Sequence, residues 1–148
     1  MAHAKKLPFE TTLLVRDCCL CLHMQRAARN LARIFDDALR PLDLTNGQFS
    51  LLMSLNRPYP PGMKDVASLL AMDRTTLTAA LKPLERRGLV VIGQDPQDKR
   101  SRLLSLTDEG HRLLNAAFPV WQETHEEIEK AFAKGEVDKL RAHLRALS

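Results

Sequence analysis

The chain has 148 residues, 45% of them hydrophobic and 27% charged, a globular composition that excludes a disordered or collagen-like protein. No apolar run approaches the roughly 20 residues of a membrane-spanning helix, and Met1 to Thr12, with Lys5 and Lys6 but no sustained apolar segment, does not read as a signal peptide. The expectation is a cytoplasmic protein with no membrane partner, a net charge of +4 and three clustered cysteines, Cys18, Cys19 and Cys21, that suit a reducing compartment better than a disulfide framework.

The spacing predicts one long helix over Leu13–Leu39. Leu20, Met24, Ala27, Leu31, Ile34 and Ala38 recur at intervals of three and four, beside a second apolar line of Cys21, Ala28, Ala32, Phe35 and Leu39. Two adjoining stripes exceed what one small core buries, so this helix is expected both in a core and against a second subunit. Pro41 ends it. Thr45, with Gln48 three residues on, has the capping-box pattern and opens a helix carrying Phe49, Leu52, Met53 and Leu55. The run Arg57-Pro-Tyr-Pro-Pro-Gly62 reads as a turn or loop. A short helix over Met63–Leu70 follows, and Asp73 caps another over Arg74–Arg87 that buries Leu77, Leu81 and Leu84, is disturbed by Pro83 and ends on Gly88. Leu89–Ile92 and Arg102–Leu106 read as a hairpin around the turn Gly93–Asp98. Thr107 caps a long helix with Asp108 and Glu109 in its first turn and Leu113, Leu114, Ala117, Phe118, Trp121, Ile128 and Phe132 along it. Gly135 breaks that helix before a final amphipathic one carrying Val137, Leu140, Leu144 and Leu147.

The fold class expected is mainly α with a small β-hairpin wing. Met63 to Leu106 is the informative unit: short helix, tight turn, amphipathic helix, hairpin. Two helices joined so closely can form a helix-turn-helix, a motif whose second helix enters the DNA major groove, or an ordinary helix pair with its charges facing water; the basic hairpin that follows favours the former. Ala67, Ala71, Leu77 and Ala80 supply the small or apolar side chains that a close crossing needs. Arg74 to Arg102 holds seven basic and three acidic residues, so this stretch carries the whole net charge and the rest of the chain is neutral. A concentrated basic segment points to a polyanion partner. The outward face of the second helix offers Arg74, Thr75, Thr76, Thr78, Ala79 and Lys82, side chains suited to phosphates, thymine methyls and guanine edges. Lys99 and Arg100 at the hairpin tip suit a narrow minor groove.

The run LAMDRTTLTAALKPLERRGLVVIGQDPQDKRSRLLSLTDEG, with LTNGQFSLL upstream, resembles the MarR (multiple antibiotic resistance regulator) family over nearly the whole chain. Its most specific part is the wing, D-P-Q-D-K-R followed by L-x-L-T-x-x-G. The resemblance implies a winged helix-turn-helix regulator, an intertwined homodimer in which residues 11–40 and 107–148 dimerise and 45–106 form the DNA-binding lobe. It implies a repressor on a palindromic operator, its two lobes roughly 34–36 Å apart, and no cofactor. Arg74, Thr75, Thr76 and Thr78 would lie nearest the bases, Lys82, Lys99 and Arg102 would add contacts, and Arg100 would enter the minor groove, oriented by an ion pair with Asp73 or Asp98. Gln97 departs from the family's frequent arginine.

The resemblance also implies release by a small phenolic, aromatic or acyl ligand, with His23, Arg26, Phe35, Phe49, Met53 and Met63 as pocket candidates. A second reading is oxidant sensing through Cys21, which aligns with the reactive cysteine of peroxide-sensing members, although Gln25 and Phe35 stand where those members carry tyrosines. A thiol-dependent or hydrolytic enzyme is a remote third. No G-x-S-x-G, H-E-x-x-H or phosphate-binding glycine motif occurs, and the five histidines (His3, His23, His111, His125, His143) are scattered. His125, beside Glu126 and Glu127, reads as part of a solvated face. A protein-docking module without sequence-specific DNA binding is a further alternative.

Overall fold

The computed structural model describes residues 4–148, so His3 lies outside the described residues. The chain divides into two compact units, one up to Ile34 and one from Phe35 onward.

The first unit contains helix α1 (Phe9–Cys18) and most of α2 (Leu20–Leu39). The single helix expected over Leu13–Leu39 is therefore two. Cys19 adopts an extended conformation between them, with φ −71° and ψ 109°. Its own N–H still closes α1 onto the Val15 carbonyl at 2.9 Å, while its Sγ accepts the Leu22 N–H at 3.4 Å. Cys19 thus ends one helix and caps the next, a function usually given to serine or aspartate. Leu14, Val15, Leu20 and Leu31 in this unit are exposed.

The second unit opens with the last turn of α2, where Leu39 is fully buried. Pro41 then sits in a single 3-10 turn, Arg40–Leu42, where its missing N–H costs nothing. Helix α3 (Asn46–Ser54) begins with the full capping box: Gln48 N–H donates to Thr45 Oγ1 at 3.2 Å, and Thr45 N–H to Gln48 Oε1 at 3.1 Å. Thr45→Ala is expected to lower stability by about 1 kcal/mol, measurable by urea denaturation.

One carboxylate ties α2 to α3. Asp36 Oδ1 accepts the Asn46 backbone N–H at 2.7 Å and its side-chain amide at 2.8 Å. These bonds hold the Asp36 carboxyl below its ordinary range. A depressed carboxylate stabilises the fold fully above the unfolded value of about 3.9 and loses that contribution as pH falls through the lower folded value. The melting temperature of Asp36→Asn is accordingly expected to fall less steeply than that of the wild type below about pH 4; parallel curves would contradict this.

Helices α4 (Met63–Leu69) and α5 (Arg74–Arg86) follow, then strands β1 (Val90–Gln94) and β2 (Arg102–Leu106), paired antiparallel from Val90–Leu106 to Gln94–Arg102. The segment Arg57–Gly62, read as a loop, adds a short third edge to this hairpin. Gly62 pairs antiparallel with Leu103, and the Pro61 carbonyl accepts the Leu104 N–H at 2.9 Å. Proline lacks a donor but keeps its acceptor, so it is tolerated at a sheet edge. Helix α6 (Asp108–Glu129) ends earlier than expected, leaving Phe132 in the turn before α7 (Glu136–Ala146). It also runs through Pro119, as α5 runs through Pro83.

The core of this unit is mostly leucine. Leu39, Leu52, Leu77, Leu81, Leu84, Leu104 and Val66 are completely enclosed. Truncating any such leucine to alanine costs on the order of 2–5 kcal/mol.

Candidate nucleic-acid interface

The turn between α4 and α5 is tight because α4 closes on itself. The Met72 N–H returns to the Ala67 carbonyl at 2.9 Å and the Ala71 N–H to that of Ser68 at 3.2 Å, with Ala71 in the left-handed region at φ 51°. Asp73 then caps α5. Its Oδ1 accepts the Thr76 N–H at 2.7 Å and its Oδ2 the Thr76 hydroxyl at 3.0 Å. The backbone bond, followed by the hydroxyl bond, holds this carboxyl below its usual range.

Along α5 the buried face is Leu77, Leu81 and Leu84, as the sequence predicts. Arg74, Thr75, Thr76, Thr78 and Lys82 are all exposed. Thr76 and Thr78 direct their hydroxyl hydrogens inward, the latter to the Arg74 carbonyl at 2.8 Å. Their methyl groups and remaining lone pairs are what they can offer a partner.

The wing tip is built by two aspartates. Asp95 Oδ1 accepts the Gln97 N–H at 2.9 Å, and Asp98 Oδ1 accepts the Arg100 N–H at 3.0 Å, each mimicking a backbone turn. Gln94 Nε2 adds a bond to the Lys99 carbonyl at 2.9 Å. The ion pair expected between Arg100 and Asp73 or Asp98 is not formed. Asp73 is committed to its helix cap, and Asp98 holds Arg100 by the backbone instead. Lys99, Arg100 and Arg102 are exposed. Among the described residues, neither these three nor Arg74 and Lys82 form an ion pair with this chain's own acids. Arg87 differs: it donates to the Asp43 carbonyl at 2.7 Å and joins the end of α5 to the turn before α3.

Two residues lock the wing to what surrounds it. Thr107 donates its hydroxyl to the Gly88 carbonyl at 2.6 Å, donates its N–H to the Leu89 carbonyl at 3.0 Å and accepts the Gly110 N–H at 3.0 Å. Gly110 packs so closely on the Leu89 carbonyl that no side chain fits there. The T-x-x-G at the end of the wing motif is therefore a joint between hairpin and helix.

Of the pocket candidates in the second unit, Phe35 and Phe49 share a cavity that includes neither Met53 nor Met63. His23 and Arg26 line an open groove on α2. Phe35 and Phe49 line a cavity of about 190 Å³ with Leu39, Asn46, Ser50 and Trp121. Met53 lines another of about 280 Å³ with His111, Asn115 and Phe118 among its walls. Met63 packs on the core. His125 is not on a solvated face: its ring lies 4.9 Å from that of Trp121, and Nδ1 is 3.2 Å from Glu129. Sequence reasoning missed it because the partners are set by ring stacking rather than by neighbouring charge. Cys18 and Cys21 are exposed and Cys19 partly so, all three free. Gln25 Nε2 donates to Cys21 Sγ at 3.2 Å. Among the described residues no helix is long and apolar enough to cross a membrane, and no His, Cys, Asp and Glu cluster is placed to hold a metal ion.

A short helix, a tight turn, a second helix with a polar outward face and a three-edged wing define a winged helix-turn-helix protein. The family model for the MarR family matches residues 44–101. The uncharacterized HTH-type transcriptional regulator YdcH of Bacillus subtilis is 33% identical over 111 residues, covering 72% of this chain and 73% of that protein. The transcriptional regulator HosA of Escherichia coli O111:H- is 39% identical over 88 residues, 58% of this chain and 64% of HosA, so that match spans just under two thirds of the relative. The Mycobacterium tuberculosis transcriptional regulator MosR, solved in complex with DNA, superposes with a TM-score of 0.79 at 33% identity, covering 87% of this chain and 92% of that one. The chain belongs to the MarR family of DNA-binding transcription regulators.

Proposed function

We propose that the protein is a cytoplasmic homodimeric repressor that reads a palindromic operator through α5 and the wing and is released by a small aromatic, phenolic or acyl ligand. The observation that carries this reading is the sidedness of α5: one face is enclosed by leucine, while the other presents Thr75, Thr76 and Thr78 with the cations of Arg74 and Lys82, neither of which is paired to an acid of this chain among the described residues. In this reading Arg74 and the threonines face base edges in the major groove. Lys82, Lys99 and Arg102 meet phosphates, and Arg100 enters the minor groove.

Residues 45–106 act as the DNA-binding lobe, and 11–40 with 107–148 as the dimerisation region. Leu14, Val15, Leu20 and Leu31 near one terminus, and Phe118, Phe132, Leu140, Leu144 and Leu147 near the other, are large apolar side chains exposed on a single chain. So much exposed apolar surface supports a second subunit covering it. An electrophoretic shift tests the function: binding to a palindromic site, sought first in the protein's own promoter region, is expected at least 1,000-fold tighter than to random duplex, on the order of specific regulators, and steeply weakened by salt. Equal affinity for both duplexes rejects the regulator reading.

The Gln25–Cys21 hydrogen bond favours one second reading, oxidant sensing through an exposed thiol whose sulfur already has a donor. Peroxide-induced release from DNA is then expected in the wild type and lost in Cys21→Ser; release retained in the mutant excludes this thiol as the sensor.

A further inference from the structure

Between Arg74 and Lys82, α5 reads Thr-Thr-Leu-Thr-Ala-Ala-Leu, a stretch without a charged side chain. Leu77 and Leu81 are buried, while Thr75, Thr76, Thr78 and Ala79 are exposed. At about 3.6 residues per turn, Ala79 falls nearly opposite the buried line, and Thr76 and Thr78 fall to either side of it. The hydrogen-bonding capacity of this surface is lopsided. A hydroxyl has one hydrogen to donate and two lone pairs with which to accept. Thr76 donates its hydrogen to Asp73 Oδ2 at 3.0 Å, and Thr78 donates to the Arg74 carbonyl at 2.8 Å. The carbonyl is a pure acceptor, and so is the carboxylate, so the direction of both bonds is fixed. The centre of the face therefore offers a partner the methyl groups of Thr76, Thr78 and Ala79 together with acceptor lone pairs. The cationic donors, Arg74 and Lys82, stand at its two ends. Between them, Thr75 alone has an uncommitted hydroxyl among the described residues.

We propose that α5 reads each operator half-site through thymine methyl groups, so that the base pairs facing Thr76, Thr78 and Ala79 are A·T pairs. In the major groove an A·T pair and a G·C pair each show one donor and two acceptors, and only the A·T pair adds a methyl, on thymine C5. Hydrogen-bond counting alone thus does not separate the two pairs on this surface; the methyl does. Guanine is commonly held by an arginine or lysine, and positions 75 to 79 hold neither. A surface of methyl groups gains by burying the thymine methyl and has no comparable gain from cytosine. The inference rests on α5 as the reading helix and adds the class of base that it selects.

The test starts with duplexes enriched from a random library by the full-length protein. The enriched duplex is then titrated with each thymine replaced in turn by deoxyuridine, which keeps the pairing and removes only the C5 methyl. The wild type is expected to lose about fourfold in affinity for each contacted methyl removed. Thr78→Ser keeps the hydroxyl and loses the methyl. It is expected to bind the enriched duplex more weakly and to be indifferent to deoxyuridine at the thymine that Thr78 contacts. Thr78→Val keeps the methyl and loses the hydroxyl, and is expected to retain the full deoxyuridine penalty there. Affinity unchanged by deoxyuridine at every thymine overturns the proposal. So does a Thr78→Ser variant that shows the wild-type penalty at every thymine, or one whose altered preference falls at a G·C pair. A library that yields no preferred sequence sinks the regulator reading and this inference with it. A preferred palindrome indifferent to deoxyuridine leaves the regulator standing and sinks the inference alone.

Discussion

Arg100→Ala is expected to weaken operator binding by about 1–3 kcal/mol per wing, and the loss is counted twice in a dimer that places two wings on one site. The expectation follows from how the wing is built. Asp98 fixes the Arg100 backbone through its N–H at 3.0 Å, and among the described residues the guanidinium is not drawn into an internal ion pair. A cation presented on a rigid turn loses little freedom on entering a narrow groove, where the DNA potential is most negative. The substitution leaves the core untouched, so the melting temperature is expected to stay within a degree or two. Lys99→Ala, which removes the proposed phosphate contact, is expected to weaken all duplexes alike and to lower the salt slope by about one. His125→Ala is the control outside the wing, because it disturbs the Trp121 stack instead. Equal losses from Arg100→Ala and His125→Ala in a shift titration would remove Arg100 from the interface.

Gly110→Ala is expected to be the most damaging single methyl at the joint between the wing and α6. A Cβ at this position falls 2.2 Å from the Leu89 carbonyl oxygen, 3.2 Å from its carbon and 3.3 Å from Leu106 Cδ2. The nearest obstacles are backbone, which cannot rotate away as a side-chain tip can. Relieving the overlap requires the first turn of α6 to retreat from the hairpin, straining the Thr107 bonds to Gly88 and Leu89. Overpacking of this kind costs about 3 kcal/mol or more, equivalent to a fall of roughly 6–12 °C in melting temperature for a chain of this size. Gly47→Ala, with its nearest neighbour at 4.0 Å, and Gly93→Ala, with nothing within 4 Å, are the matched comparisons and are expected to change little. A melting temperature for Gly110→Ala equal to theirs would show that the joint yields.

The elements legible in the sequence were those whose cause is local. Thr45 with Gln48, Asp73 with Thr76 and Thr107 with Gly110 are partners three residues apart, and Gly88 sits at φ 71° just after α5. A cap depends on the chain's own next turn, so spacing and residue type suffice to find it. The buried line Leu77, Leu81 and Leu84 was legible for the same reason, since one helix repeats its own geometry.

What only the tertiary structure decided involves partners far apart in sequence or a choice among near-equal local options. Pro61 and Gly62 became a wing edge because Leu103 and Leu104, some forty residues later, offered backbone partners. Asp98 turned to the Arg100 backbone, and Cys19 broke a helix whose apolar periodicity runs straight through it. His125 was drawn onto Trp121, and Met53 was set in a different cavity from Phe35 and Phe49. Periodicity reports which side of an element is apolar. It carries no information on which distant surface that side meets, because that is settled by packing the whole chain at once.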